Sequence, residues 1–189
     1  MPPVEDTVPV WALHEKYECD PEAGMLTHKF RAGATPGERM FNSCFAGRRA
    51  AGSPQTGGYL QLRLTDIQGN GRNVLVHRII WAMTTGEWPA DQLDHRDTNK
   101  QNNAFANLRE CGNAENKRNS LPRRDNKVGL KGVSKESRGN KFAAQICVDG
   151  QVTHIGTFAD PRDAARAYDC AANQHFGEFA RTNAAMGLL

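Results

Sequence analysis

The sequence has no apolar run long enough to cross a membrane. Its apolar stretches are short, such as 79–83 (IIWAM), whereas a membrane span needs about 18 residues or more. Residues 1–11 (MPPVEDTVPVW) contain acids and prolines, where a signal peptide has a basic segment followed by an apolar core. We therefore expect a cytoplasmic protein with no membrane partner.

The sequence also lacks the cysteine pairs of zinc and redox sites. Its cysteines are odd in number and widely scattered, and no two of them form a C-x-x-C pair. They are Cys19, Cys44, Cys111, Cys147 and Cys170. This pattern argues against a zinc ribbon or a thioredoxin-like centre. Reduced thiols are the expected state of these residues in a cytoplasmic protein.

The net charge of +3 is small, but the charge is unevenly distributed. Residues 117–141 contain nine Lys and Arg against two Asp and Glu, while 1–60, 61–116 and 142–189 each have a slight excess of acids. A basic block with few apolar residues favours contact with a polyanion, and nucleic acid is the leading candidate. A solvated linker is the alternative that charge alone leaves open.

Turn residues and periodicity divide the first half of the chain. Residues 1–57 are predicted to be β-rich, with a D-P-x-x-G turn at 20–24. Residues 59–76 alternate apolar and polar side chains around a glycine-containing turn, which predicts a β-hairpin. A short helix is expected to follow and to end at Gly86 and Pro89.

The clearest predicted helix lies between Asp160 and Gly177. Asp160 is a suitable N-terminal cap, Pro161 suits the first helical position, and Gly177 ends the pattern. Three strand candidates precede this helix, and the pair Asp149-Gly150 predicts a tight turn between the last two. These elements predict a separate α+β module at 127–183, joined to the preceding part by a basic linker at 121–126.

Residues 94–116 contain the polar residues with the clearest chemical indication. A strand ends at Asp94 and His95, residues 107–110 (NLRE) are expected to form a return strand, and 114–119 (AENKRN) a short helix. A strand, a loop, a strand and a helix can bring polar groups from all of them to one point. Taken singly, each of these polar residues also has an ordinary role in a turn or loop.

These residue types suit metal-assisted proton transfer. Asp94 and Asn116 offer a carboxylate and an amide oxygen, which are the hard ligands that Mg²⁺ prefers. His95 can accept a proton from water near neutral pH. Asn107 can hold the His95 ring by accepting a hydrogen bond from its other nitrogen.

In order and spacing this stretch resembles the ββα-metal motif of HNH endonucleases, in particular the phage and intron-encoded type. The resemblance rests on DHRDTNKQNNAFANLRECGNAEN and on the upstream VHRIIWAMTTGEWP. It implies a nuclease domain at 58–120, in which Asp94 and Asn116 hold Mg²⁺ or Mn²⁺, His95 is the general base and Asn107 orients it. Asn116 stands where the family often has His, which argues against a zinc-type site. The resemblance also implies a bacterial or phage-infected cell as the location.

Residues 127–183 resemble the Apetala-type DNA-binding domain of ethylene-response factors. The resemblance rests on GVSKES, KFAAQI, HIGTF, DAARAYDCAA and FGEFARTN. In that family a three-stranded sheet lies in the DNA major groove, which implies double-stranded DNA as the partner. Cys147 and Phe142 stand in place of an arginine and a tryptophan that plant members usually have. The candidate DNA contacts are Arg123, Arg124, Lys127, Lys131, Lys135, Arg138 and Lys141.

Together these features predict a metal-dependent DNA endonuclease of the homing type, a monomer or a homodimer, with a C-terminal targeting module. One centre per chain predicts a nick from a monomer, and a double-strand break from a dimer or from successive events. A non-catalytic DNA-binding regulator is an alternative, against which the completeness of the motif argues. A structure-selective or RNA nuclease is another, because the same chemistry suits RNA. His77 and Arg78 precede a helix, which favours a structural role for both.

Overall fold

The computed structural model of the protein describes residues 7–123 and 125–189, which belong to two compact units. The first unit ends at Cys111 and the second begins at Gly112. Helices and strands occur in both units, so the chain has the predicted α+β class. The boundary between the units falls inside 58–120, and the limits of the nuclease and DNA-binding domains stay a prediction.

Within residues 7–111 the first unit combines three helices with three small antiparallel sheets. The helices are α1 (Val10–Lys16), α2 (Pro36–Cys44) and α3 (Val76–Thr85). The strands are β1 (Tyr17–Asp20), β2 (Met25–His28), β3 (Ser53–Pro54), β4 (Leu60–Thr65), β5 (Gly71–Leu75), β6 (Gln92–His95) and β7 (Leu108–Cys111). The sheets are β1-β2, β3-β4-β5 and β6-β7.

The core of the first unit includes α3. Its Ile79 and Ile80 are fully buried in one cluster with Leu13 of α1 and Leu26 of β2. The helix follows β5 directly and ends at Gly86, whose φ of 86° is the left-handed conformation common at helix ends. The predicted hairpin and the short helix after it are therefore confirmed.

Residues 1–57, expected to be β-rich, also contain α1 and α2, and residues 1–6 lie outside the described part of the chain. α2 begins with a capping box, in which Thr35 Oγ1 accepts from the Glu38 backbone N–H and the Glu38 carboxylate accepts from the Thr35 N–H. The sequence T-P-G-E is the signal for this start. α2 has no buried residue, so a burial pattern gave no second signal.

In residues 112–123 and 125–189, the second unit has two helices and one antiparallel sheet. The helices are α4 (Asn113–Arg118) and α5 (Pro161–Phe176). The strands are β8 (Val133–Lys135), β9 (Phe142–Val148) and β10 (Gln151–Phe158), in the order β10-β9-β8. Asp149 and Gly150 both have positive φ, 50° and 83°. Positive φ at both central residues is what a two-residue hairpin turn of type I′ requires.

The sequence signals for α5 have the predicted roles. Asp160 Oδ1 accepts from the Arg162 N–H at 2.7 Å, Pro161 is the first helical residue and Gly177 is the C-terminal cap. The buried face of α5 includes small side chains, among them Ala164 and Ala172, which let the helix lie close to the sheet, and the rings of Tyr168 and Phe176. The predicted three-stranded sheet and helix are therefore confirmed.

A close contact between Gly132 and Tyr168 of α5 gives the first prediction. Gly132 has φ +73° and a Cβ on it would lie 1.9 Å from the Tyr168 ring, whereas Gly129 has φ +75° and open space around it. Gly129→Ala should cost about 1–2 kcal/mol of unfolding free energy from backbone strain alone. Gly132→Ala should cost about 1–3 kcal/mol more because it overpacks the ring contact. Denaturant unfolding followed by circular dichroism measures both losses, and equal losses would contradict the expectation.

Candidate active site

β6 ends in two buried polar residues, Asp94 and His95, with exposures of 7% and 2%. Consecutive strand residues point to opposite faces, so the two side chains leave the strand in different directions. Burying a carboxylate and an imidazole costs free energy unless each has hydrogen-bond partners. The partners of these two side chains therefore define the site.

Arg109 is a partner of Asp94. It lies directly opposite Asp94 on β7, and its Nε and a terminal nitrogen donate to Asp94 Oδ2 at 3.0 and 2.8 Å. Arg109 is itself only 7% exposed. The two residues therefore form a buried ion pair with two charge-assisted hydrogen bonds, which are stronger than hydrogen bonds between neutral groups. The sequence prediction gave Arg109 no role. The sequence signal that could have indicated this ion pair was an acidic and a basic residue on the two opposite strands of the expected hairpin.

Asn103 is a partner of His95. Its Oδ1 lies 3.0 Å from His95 Nε2, and Asn103 is 3% exposed. An amide oxygen can only accept, so this contact is a hydrogen bond in the tautomer that carries its proton on Nε2. In that neutral tautomer Nδ1 is the basic nitrogen. The contact with Asn103 orients the buried His95 ring.

Asn107 does not take the position expected of it. The prediction had Asn107 accepting from the His95 ring, but among the described residues its amide bonds only to the loop that joins β6 to β7. Its Oδ1 accepts from the Asp97 N–H at 3.0 Å, and its Nδ2 donates to Asp97 Oδ1 and to the Asn102 carbonyl at 2.9 and 2.8 Å. Asn107 closes this loop, and the ring contact belongs to Asn103.

Asp97 organises the same loop. Its carboxylate accepts from the Asn99 N–H and from the Asn102 and Asn107 side chains, at 2.7–2.9 Å. Burial raises the pKa of Asp97, but the hydrogen bonds outweigh it and hold the pKa below its ordinary value. The charged form is thereby stabilised. A loop tied in this way positions Asn103 for its contact with His95.

The turn between β1 and β2 supports Asn103 from outside the loop. Gly24, at φ +63°, lies so close that a Cβ on it would be 2.2 Å from the backbone nitrogen of Ala104. The Pro21 carbonyl accepts from the Phe105 N–H at 2.8 Å. The N-terminal hairpin, which had no assigned chemistry in the sequence prediction, is therefore a support of the site.

An aromatic cluster covers the His95 ring. The ring centroids of Tyr59 and His77 lie 5.9 and 5.0 Å from that of His95. Burial, together with nearby His95 and Arg78, lowers the pKa of His77 to about 3. His77 is therefore neutral at ordinary pH. Burial, and after it the Asp94 charge, raises the pKa of Tyr59.

Arg78 has a structural contact, in agreement with the role that the sequence favoured. It donates to the carbonyls of Asp91 and Pro89 at 2.9 and 3.1 Å. Because these residues precede β6, Arg78 ties α3 to the start of the strand that carries Asp94 and His95. This fixes the approach of the chain to the site.

Asn116, the second predicted metal ligand, lies on α4 in the second unit. Its backbone N–H donates to the Gly112 carbonyl at 3.0 Å, and Glu115 Oε2 accepts from the Gly112 N–H at 2.8 Å. Gly112 thus precedes the first residue of α4, Asn113, at the capping position. The pairing of Asn116 with Asp94 at one ion stays a prediction.

Lys131, one of the predicted DNA contacts, makes hydrogen bonds within the second unit. Its Nζ donates to the carbonyls of Arg118 and Ser120 at 2.6 and 2.8 Å, at the end of α4. Burial, and after it nearby Arg181, lowers the pKa of Lys131 to about 8. Its backbone N–H donates to buried Asn183. Lys131 therefore holds the end of α4 to the sheet and helix of the second unit.

Most of the other predicted DNA contacts are exposed. Arg124 lies outside the described residues. Arg123 pairs with Asp125 at 3.2 Å, with both side chains largely in solvent, and such a pair is weak enough to exchange for another anion. A surface groove of about 670 Å³ lies beside the linker and the sheet, and Lys127 and Lys135 line it. The exposed cations are Arg123, Lys127, Lys135, Arg138 and Lys141.

Within 7–123 and 125–189, no three His, Cys, Asp or Glu side chains are grouped so as to hold a metal ion. Among the helices of the same residues, none has the length and apolar character needed to span a membrane.

Known proteins resemble the part of the chain that carries this site. The HNH endonuclease family model matches residues 74–118. We call these residues the HNH segment. An uncharacterized HNH endonuclease of Acanthamoeba polyphaga mimivirus is 33% identical over 110 residues, which are 57% of this chain and 56% of the relative. The chain thus spans about half the length of the curated relative that it matches.

One similar solved structure concerns DNA binding and cleavage by the HNH homing endonuclease I-HmuI. The match with that structure covers 59% of this chain and 55% of the other chain, with a TM-score of 0.41 and 23% sequence identity.

The HNH segment includes all four residues that the sequence predicted for the site, namely Asp94, His95, Asn107 and Asn116. It also includes Asn103, Arg109 and His77, which the structure adds.

The contact between His95 and Asn103 gives the second prediction. Asn103→Leu should leave the buried Nε2–H without an acceptor and cost about 1–3 kcal/mol of unfolding free energy. Asn99→Leu, at an exposed position of the same loop, is the control. Denaturant unfolding measures the stability, and ¹⁵N NMR of the imidazole reports which nitrogen carries the proton. An unchanged population of the Nε2–H form in Asn103→Leu would contradict the assignment.

Buried His77 gives the third prediction. Its folded-state pKa of about 3 lies below its unfolded value of about 6.5, so the unfolded chain binds the proton first as the pH falls. The contribution of His77 to the free energy of unfolding is fully present above about pH 6.5. It is lost as the pH falls toward 3, by at most about 1.4 kcal/mol per pH unit. His77→Phe should therefore flatten this part of the stability curve. Urea unfolding across this range tests it, with exposed His175→Phe as the control that should leave the slope unchanged.

Proposed function

We propose that this chain is a metal-dependent DNA endonuclease in which His95 is the general base. The observation that carries the proposal is the buried ring of His95, whose Nε2 lies 3.0 Å from Asn103 Oδ1, so that Nδ1 is the basic nitrogen of the tautomer protonated at Nε2. This ring follows the buried Asp94 carboxylate at the end of β6, within the HNH segment. A base of fixed orientation next to a hard oxygen ligand suits hydrolysis of a phosphodiester.

In the proposed reaction His95 takes a proton from water at Nδ1. The hydroxide attacks phosphorus in line with the departing O3′, the P–O3′ bond breaks, and O3′ takes up a proton from solvent water, which gives a 5′ phosphate and a 3′ hydroxyl. Asn103 still accepts from Nε2 when the ring becomes charged, and a hydrogen bond from a charged donor is stronger. Because the pKa of His77 is lowered to about 3, His77 does not compete for the proton.

We infer that Asp94 and Asn116 hold Mg²⁺ or Mn²⁺. The donor set fits a hard cation, since it is a carboxylate and an amide oxygen, and magnesium sites often use one or two carboxylates with water. Arg109 uses two lone-pair positions on Asp94 Oδ2, and a carboxylate has about four. A carboxylate that accepts hydrogen bonds can also coordinate a cation, since the ligating carboxylates of metal sites are commonly hydrogen-bonded. When bound, the ion would stabilise the charge that develops on the phosphate and on the leaving oxygen.

The proposed role of 127–183 is to bind the double-stranded DNA near the cleavage site. A three-stranded sheet with one helix packed on it supports an Apetala-type module. Exposed Lys127, Lys135, Arg138 and Lys141 would contact phosphates, while side chains of the sheet would read base edges. Residues 58–120 would form the nuclease domain and 121–126 the linker. A monomer would nick one strand, and a homodimer would cut both.

The fourth prediction tests the chemistry separately from the binding. His95→Ala should lower the rate of cleavage by about 100- to 10,000-fold, the usual contribution of a general base, while duplex binding stays close to that of the unaltered protein. The rate is measured on a pool of supercoiled plasmids with random inserts, in Mg²⁺ and in EDTA. His175→Ala, at an exposed position, is the control. Near-normal cleavage by His95→Ala would contradict the base assignment.

A further inference from the structure

A second basic surface lies in the first unit. It consists of α2 and the residues on either side of it, 28–50, and we call it the α2 surface. It contains five basic residues against the single acid Glu38, an excess of four positive charges (five minus one). The remainder of residues 1–60 is acidic, so the excess is not visible in the charge of the whole segment. The basic residues are Lys29, Arg31, Arg39, Arg48 and Arg49.

None of these cations is neutralised by a carboxylate among the described residues. Arg48 and Arg49 are exposed, and within the described chain their side chains have neither a hydrogen bond nor an ion pair. Arg39 donates to two backbone carbonyls, and Arg31 lies 3.6 Å from the centroid of the Phe41 ring. Such contacts orient a guanidinium and leave its charge available to a partner.

The same surface exposes large apolar side chains. Phe30, Met40 and Phe45 are 74%, 71% and 51% exposed. None of the three belongs to the core cluster of the first unit. Large exposed apolar side chains that the core does not use are often part of a binding surface.

The α2 surface is nevertheless well ordered by local contacts. The Asn42 side chain accepts from the Arg31 N–H and donates to the Arg31 carbonyl, at 2.8 and 3.0 Å. The rings of Phe41 and Phe45 lie 5.4 Å apart, and His28 contacts both. Together with the capping box of α2, these contacts hold the backbone of the segment that carries the cations.

We propose that the α2 surface binds the phosphate backbone of double-stranded DNA outside the cleavage centre. The inference rests on the proposed function, because the DNA is the substrate named there. Charge complementarity identifies the partner, since arginines without carboxylate partners match phosphates. The exposed Phe and Met side chains suit the apolar contacts that proteins make with sugars and grooves. The chain would then contact DNA through two basic surfaces.

The test uses the full-length double variant Arg48→Ala/Arg49→Ala. Duplex affinity is measured in EDTA at several salt concentrations, so that cleavage is not needed for the result. Each lost phosphate contact lowers the slope of log affinity against log salt by about 0.9, so the slope should become shallower by about 1.8. Cleavage at saturating DNA should stay unchanged, because neither arginine belongs to the catalytic machinery.

The matched control is Arg162→Ala/Arg166→Ala, which removes the same charge from the exposed face of α5. It should keep the slope of the unaltered protein. Phe30→Ser should weaken duplex binding and leave the slope unchanged, because it removes an apolar contact and no charge.

Each outcome decides the proposal. An unchanged slope in Arg48→Ala/Arg49→Ala overturns it, and normal cleavage then leaves the nuclease function standing. A shallower slope in a protein that never cleaves supports the α2 surface and argues against the nuclease. An equal change of slope in both double variants overturns the proposal, since the loss of two positive charges anywhere on the protein would then explain it. Loss of binding to phosphatidylserine vesicles with unchanged DNA binding would also overturn it and assign the surface to lipid.

Discussion

The hydrogen bond from His95 Nε2 to Asn103 Oδ1 is the interaction on which the rest of the site depends. The two nitrogens of a neutral imidazole have opposite roles, and a partner that can only accept decides which of them keeps the proton. Both side chains are buried, so water does not readily replace this partner. The asparagine therefore favours the tautomer protonated at Nε2 and orients the ring, as the proposed role of His95 as a base at Nδ1 requires.

Much of the first unit around the site can be understood as support for Asn103. Asn107 and Asp97 close the loop on one side, and the turn with Pro21 and Gly24 packs against its backbone on the other. Arg109 performs the corresponding task for Asp94 from the paired strand. Support from distant parts of the chain keeps a catalytic geometry fixed to the accuracy that chemistry needs. This gives the N-terminal hairpin a share in the proposed reaction.

The sequence predicted features that local patterns encode. The hairpin at 59–76, α3 and α5 were predictable because alternation, caps and glycines act over a few residues. The roles of Asn103 and Asn107 were not, since two asparagines in one loop have the same local preferences and only the folded loop shows which one meets the ring. Lys131 shows a related limit, because charge patterning cannot distinguish an exposed lysine from one that binds helix-end carbonyls, and its contact with DNA stays a prediction.

The most direct test of the account is the chemistry of the ends that the protein leaves on DNA. A pool of supercoiled plasmids with random inserts is incubated with the purified protein and Mg²⁺, with EDTA as the control, and the breaks are mapped by ligation and sequencing. The account predicts open circles that form only with the metal ion, with breaks that carry a 5′ phosphate and a 3′ hydroxyl. A pool that stays intact in Mg²⁺ and Mn²⁺, while a gel shift shows the protein bound to it, would contradict the account.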